Sequence, residues 1–310
     1  MAIDGGVWAK VWPEYVGTQE ANITAITGSG ITHTYGDFVA FEFLTNGSLT
    51  CTEGLIPEAL LVGGGGGGGN DAGGGAGGFL GLTNVFASSG SHAVTVGVGG
   101  LGTVSGVNPT IGGPSVFLGI YSPGGGGGGW VSEAGTSGAS GGGNGRSWSG
   151  LVPGIPGLGN STSGTSSSGG GAGGTGSGGV ATGGNELGGP GLSSDITGAT
   201  VFYAGGGNVG ETSTAEARTA ANTSGAANSG SGGGNLAATV GGSGVIILKV
   251  KASNAANVDK SGWTEVTEAM LAAAAKKREV ERKAQAKKAA LLAKTEELSG
   301  ATHTDIKETE

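Results

Sequence analysis

The sequence predicts a mostly β or irregular fold in which short β-strands bracket a packed slab of polyglycine II-type helices, followed by one long C-terminal α-helix. Three observations lead to this prediction. Of the 75 glycines among 310 residues, 65 lie between residues 63 and 250. Strand-like segments enter and leave the glycine runs in that region. Residues 263–300 are rich in Ala, Lys, Glu and Leu, which are strong helix formers.

Alternating apolar residues predict strands ahead of the first glycine run. The segment 38–43, FVAFEF, has the two-residue period of a strand. Asn46–Gly47 follows, and this pair between two strand-like stretches predicts a β-hairpin. A short apolar strand over 59–62 then leads directly into Gly63.

The glycine runs alternate with connectors that also carry strand patterns. In HAVTVGVGG, the residues Val94, Val96 and Val98 are predicted to share one face, and SVFLGIYS (115–122) is a second candidate strand. GVIILKV (244–250) predicts a buried strand that closes the region. The main runs of consecutive glycine are 63–69, 73–75, 124–129, 141–143, 169–171, 205–207 and 232–234.

Two interpretations of the glycine runs differ in whether the runs are flexible or structurally ordered. Gly/Ser-rich chains are commonly flexible linkers, and the segment 161–170 fits a mobile loop best. Alternatively, extended helices of the polyproline II type pack side by side and pair their backbone groups with neighbours, an arrangement in which only glycine permits the close approach. The strands on either side of the runs favour the ordered slab.

Interior positions of this slab are assigned to the two longest runs. A run of six or seven residues gives a helix about 19–22 Å long at a rise of about 3.1 Å per residue. The structural core residues are Gly63, Gly64, Gly65, Gly66, Gly67, Gly68, Gly69, Gly124, Gly125, Gly126, Gly127, Gly128 and Gly129.

The composition of residues 263–300 predicts the long C-terminal helix. Thr264 is its predicted N-cap, Glu265 and Glu268 favour the first turn, and Gly300 is a natural stop. At 1.5 Å per residue the helix is about 54 Å long.

One stripe of this helix predicts association. Steps of three and four residues from Val266 define ten positions, of which seven are apolar and three are lysines. We expect the helix to pack against others, most simply in a homotrimer; the alternative is a single solvated helix with supporting pairs such as Glu279–Lys283. The apolar seam consists of Val266, Met270, Ala273, Val280, Ala284, Leu291 and Leu298.

These features predict five consecutive parts of the chain. They are a β-like or docking segment over 1–37, a glycine-rich domain over 38–250, a linker over 251–262, the long helix over 263–300 and a polar tail over 301–310.

Composition excludes several classes of function. The formal net charge is −8, which gives no basic patch for nucleic acid. The longest apolar runs are far shorter than the roughly 20 residues that span a bilayer, and the N-terminus lacks the pattern of a secretory signal. The single cysteine, Cys51, allows no intrachain disulfide and is expected to be an unreactive, partly buried residue.

No motif for catalysis, metal binding or cofactor binding is found. The three histidines, His33, His92 and His303, lack the spacing of metal ligands. A phosphate-binding loop needs Gly-Lys-Ser/Thr after the glycines, whereas Asn70 and Asp71 follow Gly69. We therefore expect a protein that is not an enzyme and that holds no cofactor.

A small set of aromatic and basic side chains lies at the edges of glycine runs. Aromatic residues and arginine are enriched at binding hot spots, so these residues are candidates for contact with an external glycan or protein. The alternative, which the sequence favours, is that they cap the ends of the slab and exclude water. The residues are Tyr121, Trp130, Arg146, Trp148 and Tyr203.

The ordered set FEFLTNGSLT, ALLVGGGGGGG, AVTVGVGG, PGGGGGG and GGSGVIILKV resembles the glycine-rich domain of bacteriophage tail fibres and minor tail proteins. The resemblance covers roughly residues 38–250. More distantly it is similar to the tip adhesins of T-even-like phages, in which glycine helices form a layered sandwich that displays loops to a host receptor. It implies a phage virion, assembly with other tail proteins and, as in most fibres, a trimer.

Three functions remain as alternatives. The first is a non-enzymatic structural part of a tail fibre or tail tip, assembled in the host cytoplasm and released by lysis. The second is an adhesin that displays loops from the slab to a host-cell receptor. The third is a non-viral glycine-rich surface or ice-binding protein, which would need a regular Gly-x-x repeat with one aligned face; this sequence lacks that regularity.

Overall fold

The structure is a computed structural model in which the described residues are mostly β-sheet and extended chain. It describes residues 19–103, 109–145, 147–162, 166–176, 186–210, 212–235 and 239–270, together with 272, 273 and 276. The chain divides into two compact units, Met1–Glu265 and Val266–Glu310.

Short strands alternate with the glycine-rich segments along the described chain. Two 3₁₀ turns, Ala215–Ala217 and Ala252–Ala255, accompany them. The strands are β1 (Ile23–Thr27), β2 (Gly30–Tyr35), β3 (Phe38–Phe43), β4 (Gly47–Cys51), β5 (Gly54–Val62), β6 (Phe79–Ala87), β7 (Gly90–Thr95), β8 (Ser115–Phe117), β9 (Ile120–Ser122), β10 (Leu192–Ser194), β11 (Val201–Tyr203), β12 (Val245–Lys251) and β13 (Thr264–Thr267).

The strands form two larger sheets and a small hairpin. One sheet has the order β13-β2-β3-β12-β5-β6, the second has the order β1-β4-β7-β8-β9, and β10 pairs with β11. The predicted closing strand is confirmed as β12, which lies between β3 and β5 and pairs antiparallel with both. Because both of its edges are bonded and both faces are covered, its residues form an almost continuous apolar run.

The two larger sheets pack face to face as a β-sandwich. Phe41, Leu61 and Leu248 from the six-stranded sheet share one apolar cluster with Leu49 and Phe117 from the five-stranded sheet, and all five side chains are at most 1 % exposed. Burial of this apolar surface is the main favourable term for the sandwich.

The predicted hairpin at Asn46–Gly47 is wrong in its pairing. β3 and β4 flank this turn but belong to different sheets, since β3 pairs with β2 and β12 whereas β4 pairs with β1 and β7. The Asn46 carboxamide oxygen accepts the Val96 N–H at 2.8 Å and so holds the turn at the corner between the sheets. The chain crosses the sandwich here instead of folding back.

Two other strand predictions are refined by the structure. The segment 115–122 is a tight hairpin, β8–β9, with positive φ at both turn residues, Leu118 and Gly119, as a two-residue hairpin turn requires. Val94 and Val96 are buried, but Val98 is 70 % exposed because β7 ends at Thr95 and the chain continues as a glycine-rich segment.

The second face of the six-stranded sheet packs on the chain around β10 and β11. Alternation along β12 directs Val245 and Ile247 into a second apolar cluster that also contains Ile196 and Tyr203. The Tyr35 hydroxyl donates to the Ile196 carbonyl at 2.5 Å. This cluster joins the sandwich to the later part of the glycine-rich region.

Because the phenol of Tyr35 is partly buried, we expect the folded state to lose stability at alkaline pH. Burial, and secondarily the carboxylates of Glu58 and Asp195, raise the pKa of its phenol to about 12 from 10.0. The folded state therefore holds the proton more tightly than the unfolded state, so this contribution is complete below pH 10 and is lost as the pH rises through 12.

We expect the urea midpoint to fall between pH 10 and pH 12, and to fall less steeply for Tyr35→Phe, whose ring does not ionise. Tyr203, whose pKa burial also raises, accounts for part of the slope that remains. A Tyr35→Phe variant with the same slope as the parent chain would contradict the assignment.

The run 63–69 follows β5 directly and is hydrogen-bonded as a helix with three residues per turn. Its N–H groups donate in turn to three neighbouring segments, 72–78, 110–113 and 239–242, and return to the same segment every third residue, at 2.8–3.1 Å. A three-residue repeat without internal hydrogen bonds is that of the polyproline II helix. We call each such segment a glycine helix and their assembly the glycine slab.

The same run has six neighbours in all. Its carbonyl oxygens accept hydrogen bonds from three further segments, 97–101, 124–129 and 230–235. All seven glycines are buried, and a Cβ added to any of them would lie within 3.0 Å of a backbone atom of a neighbouring segment. A Cβ at any position of 124–129 would also lie within 3.0 Å of neighbouring backbone, and 125–129 are buried while Gly124 is partly exposed. These positions therefore require glycine because backbone packs directly on backbone.

The segment expected to be a mobile loop, 161–170, contributes buried residues to the slab where the structure describes it. Ser166, Ser167 and Ser168 are at most 3 % exposed. One carboxylate oxygen of Glu186, itself 3 % exposed, accepts the Ser167 and Ser168 N–H groups at 2.7 and 3.1 Å. Residues 163–165 lie outside the described residues.

The slab has two distinct ends. β5, β6, β9 and β12 join it at one end, which we call the attached end. The run 63–69 leads away from that end, turns at Asn70–Asp71 and returns as 72–78 to β6. We call the end that contains this turn the far end.

The predicted long C-terminal α-helix is wrong for the part of the chain that the structure describes. Thr264–Thr267, where the helix was predicted to begin, form strand β13. Three of these four residues are β-branched, which favours a strand over a helix. α-Helical residues are described only at 268–270, 272–273 and 276, so no long helix is found among the described residues.

The predicted helix seam changes accordingly. Val266 lies in β13, Met270 is 53 % exposed in the short helical stretch, and Ala273 is also helical. Val280, Ala284, Leu291 and Leu298 lie outside the described residues, as do the polar tail and residues 1–18.

Two predicted boundaries fall within continuous structure. The limit at 37/38 lies inside the antiparallel pair β2–β3. The segment predicted as a linker, 251–262, places Ala255 and Val258 in the sandwich core.

Candidate functional site

Two of the five candidate contact residues lie at the far end of the slab. Trp130 follows the run 124–129, and Trp148 follows the glycine helix that ends at Gly145. Backbone N–H···O=C bonds of 3.0–3.1 Å join the turn at 130–133 to the turn at 145–148. Trp130 is half-buried and Trp148 is 46 % exposed. The far end therefore presents an indole on two turns that brace each other.

The other candidates lie elsewhere. Tyr121 is 62 % exposed on β9, the edge strand of the five-stranded sheet at the attached end. Tyr203 is only 3 % exposed and belongs to the second apolar cluster, also at the attached end. Arg146 lies outside the described residues. The structure thus brings Trp130 and Trp148 together and separates them from the two tyrosines.

Three buried asparagines support the glycine helices. Asn144, Asn208 and Asn235 are 0 %, 0 % and 6 % exposed, and each directly follows three glycines. The side-chain oxygens accept the backbone N–H groups of Gly135, Gly188 and Gly210 at 3.3, 2.7 and 3.3 Å.

An asparagine side chain carries the same amide donor and acceptor groups as the peptide bond. In addition to those acceptor bonds, the side-chain nitrogens of Asn144 and Asn208 donate to the carbonyls of Gly150 and Ser213 at 2.6 and 2.7 Å. The asparagines therefore continue the hydrogen-bond network where a run of glycine ends.

These asparagines were not among the residues predicted from the sequence. The signal was present, because Gly-Gly-Gly-Asn occurs at 141–144, 205–208 and 232–235. In each of these three runs, the residue that follows the glycines is the asparagine that continues the hydrogen-bond network.

The described residues contain little that is chemically reactive. They include no group of three or more His, Cys, Asp or Glu side chains arranged to hold a metal ion. Cys51 is 3 % exposed, and burial raises the pKa of its thiol, which disfavours the reactive thiolate.

In the described part of the chain, no helix has the length and apolar character needed to cross a bilayer.

The fold defines a β-sandwich that continues into a hydrogen-bonded slab of glycine helices. Comparison with known families gives the class a name. Residues 45–251, from just after β3 to the end of β12, match the family described as the Glycine-rich domain. The match covers more than half of the chain, so the chain belongs to the glycine-rich domain family. No curated protein matches the sequence.

Proposed function

We propose that the chain is a non-enzymatic structural component of a bacteriophage virion, in a tail fibre or as a tail-tip or minor tail protein. The observation that carries the proposal is the glycine slab, in which run 63–69 bonds to six neighbouring segments. Such a network gives a rigid body without a ligand or cofactor. The order of strands and glycine runs, which resembles the tail-fibre domain, supports the virion as its location.

The proposed partners are other tail proteins and further copies of the chain. The resemblance to fibres favours a trimer; the described residues add no helix seam to support it. Nucleic acid and membrane insertion have no part in the proposal, since the chain carries a net charge of −8 and its described residues contain no spanning helix.

Immunogold labelling of phage particles tests this function. Antibodies raised against the full recombinant chain are applied to purified particles released from cells that carry the gene. We expect gold particles at the tail or tail fibres and none on the head. Particles that carry no label, with the chain found only in the soluble lysate, would overturn the proposal.

A second candidate is a receptor-binding adhesin. It is favoured by the 46 % exposure of Trp148 and by the bracing of its turn against that of Trp130 at the end of the slab opposite the strands. A rigid slab is well suited to present such turns, because binding residues are commonly carried on loops that a scaffold positions.

Phage particles that carry Trp130→Ala and Trp148→Ala separate the two roles. An adhesin predicts normal particle yield with adsorption to host cells reduced at least tenfold. A purely structural role predicts normal yield and normal adsorption. Tyr121→Ala, which removes an exposed aromatic residue at the attached end, is the matched control and is expected to leave adsorption unchanged.

A further inference from the structure

Two neighbouring cavities flank the Phe202 ring at the attached end of the slab. The first, about 320 Å³, lies between β2–β3 and the segment 227–229. The second, about 260 Å³, is lined by Arg218, Thr219 and nearby hydroxyl-bearing residues. Phe202 and Ser229 line both cavities. Together they form one groove with an aromatic ring at its centre, which we call the Phe202 groove.

Each cavity of this groove is lined by a residue with a buried polar atom that lacks a hydrogen-bond partner. His33 lines the first cavity and is 8 % exposed, and its Nδ1 has no partner in the described structure. Thr219 lines the second cavity and is 3 % exposed, and its Oγ1 has no partner either. An unsatisfied buried polar group costs about 1–3 kcal/mol, so two of them along one groove indicate a site where a ligand supplies the missing hydrogen bonds.

The charged groups along the groove already have partners. Glu42 Oε2 lies 2.7 Å from His33 Nε2 in the first cavity. Arg218 in the second cavity lies 2.7 Å from the carboxylate of Glu216. Because each acidic group lies beside a basic one, the groove offers hydrogen bonds rather than net charge, and a neutral ligand fits it better than an ion.

The remaining lining combines an apolar ring with amide donors. Phe202 is 41 % exposed, so one part of its ring is open to a ligand. Asn228 accepts from Ser243 Oγ through its Oδ1 at 3.1 Å, which leaves its Nδ2 donors without a partner among the described residues. A pyranose ring matches this lining, because it presents an apolar C–H face and a rim of hydroxyl groups.

We propose that the Phe202 groove binds a neutral saccharide. One sugar ring packs its C–H face on Phe202, and its hydroxyl groups pair with His33 Nδ1 and the Asn228 amide. A second ring reaches Thr219 in the adjoining cavity, so a disaccharide or longer glycan fills both. The site stands on the geometry of the isolated chain and does not depend on the proposed place in a virion.

Saturation-transfer NMR on the full-length chain tests the proposal. The ligands are neutral mono- and disaccharides of glucose, galactose, mannose and N-acetylglucosamine at millimolar concentration, with glucuronic acid as the charged comparison. We expect transfer to at least one neutral saccharide, stronger for the disaccharide than for its monosaccharide, and weaker transfer to glucuronic acid. Absence of transfer to every neutral saccharide would overturn the proposal.

Matched variants assign any binding to the groove. Phe202→Ala is expected to weaken the affinity about tenfold, as for loss of an aromatic anchor, whereas Tyr121→Ala removes an exposed aromatic ring elsewhere and leaves binding unchanged. Asn228→Gly removes the amide while tolerating the positive φ of 58° at this position, and it too weakens binding. Equal losses in Phe202→Ala and Tyr121→Ala would contradict the assignment.

Thr219→Val distinguishes a ligand contact from a structural role. The replacement removes an unpaired buried hydroxyl, so folding stability is expected to be maintained or raised. The preference for a disaccharide over a monosaccharide is expected to disappear. A variant that keeps this preference would remove Thr219 from the site.

Discussion

Replacing Gly66 with Val is expected to lower the melting temperature of the chain by roughly 10 °C or to prevent folding. Gly66 is buried at the centre of the run 63–69. A Cβ at this position would lie well inside 3.0 Å of the carbonyl oxygen of Gly126, closer than real Cβ atoms come to backbone. The neighbouring glycine helix must move away, which breaks hydrogen bonds on both sides of the run.

Gly81→Val is the matched control. Gly81 lies in strand β6, and a Cβ there meets no atom within 4 Å. Valine also favours strands, so this variant is expected to melt at or slightly above the temperature of the parent chain. Thermal unfolding followed by circular dichroism compares the two. Equal melting temperatures for Gly66→Val and Gly81→Val would show that backbone contact at Gly66 is absent.

Replacing Asn208 with Ala is expected to cost about 2–4 kcal/mol, because one buried and one partly buried backbone group lose their partners at once. The Gly188 N–H donates to Asn208 Oδ1, and Asn208 Nδ2 donates to the Ser213 carbonyl, both at 2.7 Å. Asn208 is fully buried, so water does not replace these bonds without opening the slab.

Asn254→Ala makes the same chemical change at a more exposed site. Asn254 Nδ2 donates to the Glu20 carboxylate at 3.0 Å at a partly exposed position, where water takes over after substitution. Its cost is expected to stay below about 1 kcal/mol. Urea titration of both variants measures the difference. An Asn208→Ala variant as stable as Asn254→Ala would mean that asparagine does not support the glycine helices.

The strands predicted most accurately from the sequence are those in which burial alone explains the pattern of apolar residues. β12 is apolar throughout because it is central in its sheet and both of its faces pack against apolar clusters. β3 alternates more weakly, since Ala40 belongs to the second cluster while Phe41 and Phe43 belong to the first. The polyglycine II arrangement followed from the close approach that glycine allows, and the observed backbone hydrogen bonds have its three-residue period.

Predictions that depended on which strands pair with one another were wrong. Asn46–Gly47 has the residue types of a hairpin turn. The strands on either side of it nevertheless pair elsewhere, β3 with β2 and β12 and β4 with β7. At the C-terminus the average composition of 263–300 hid the local β-branched residues at 264–267. Trp263 also fixes the chain just before them, as its ring meets that of Phe43 edge-on at 4.9 Å.

The candidate sites were predictable only in part. Aromatic residues beside glycine runs identified Trp130 and Trp148, because a side chain following a glycine run lies at an end of the slab. The Phe202 groove was not predictable, since His33, Phe202 and Asn228 come from widely separated parts of the sequence and carry no motif. Its unpaired polar atoms, His33 Nδ1 and Thr219 Oγ1, are buried only because of the tertiary packing around them, which the local sequence does not reveal.

The central claim is that the glycine runs are folded through hydrogen bonds between backbones. Amide hydrogen exchange measured by NMR on a uniformly ¹⁵N-labelled chain tests it most directly, with Gly81 and Gly36, which lie outside the slab, as references. Since each N–H of 63–69 is bonded to a neighbouring segment, we expect these amides to exchange as slowly as those of the central strand β12. Exchange as fast as that of an unstructured glycine throughout 63–69 would contradict the account.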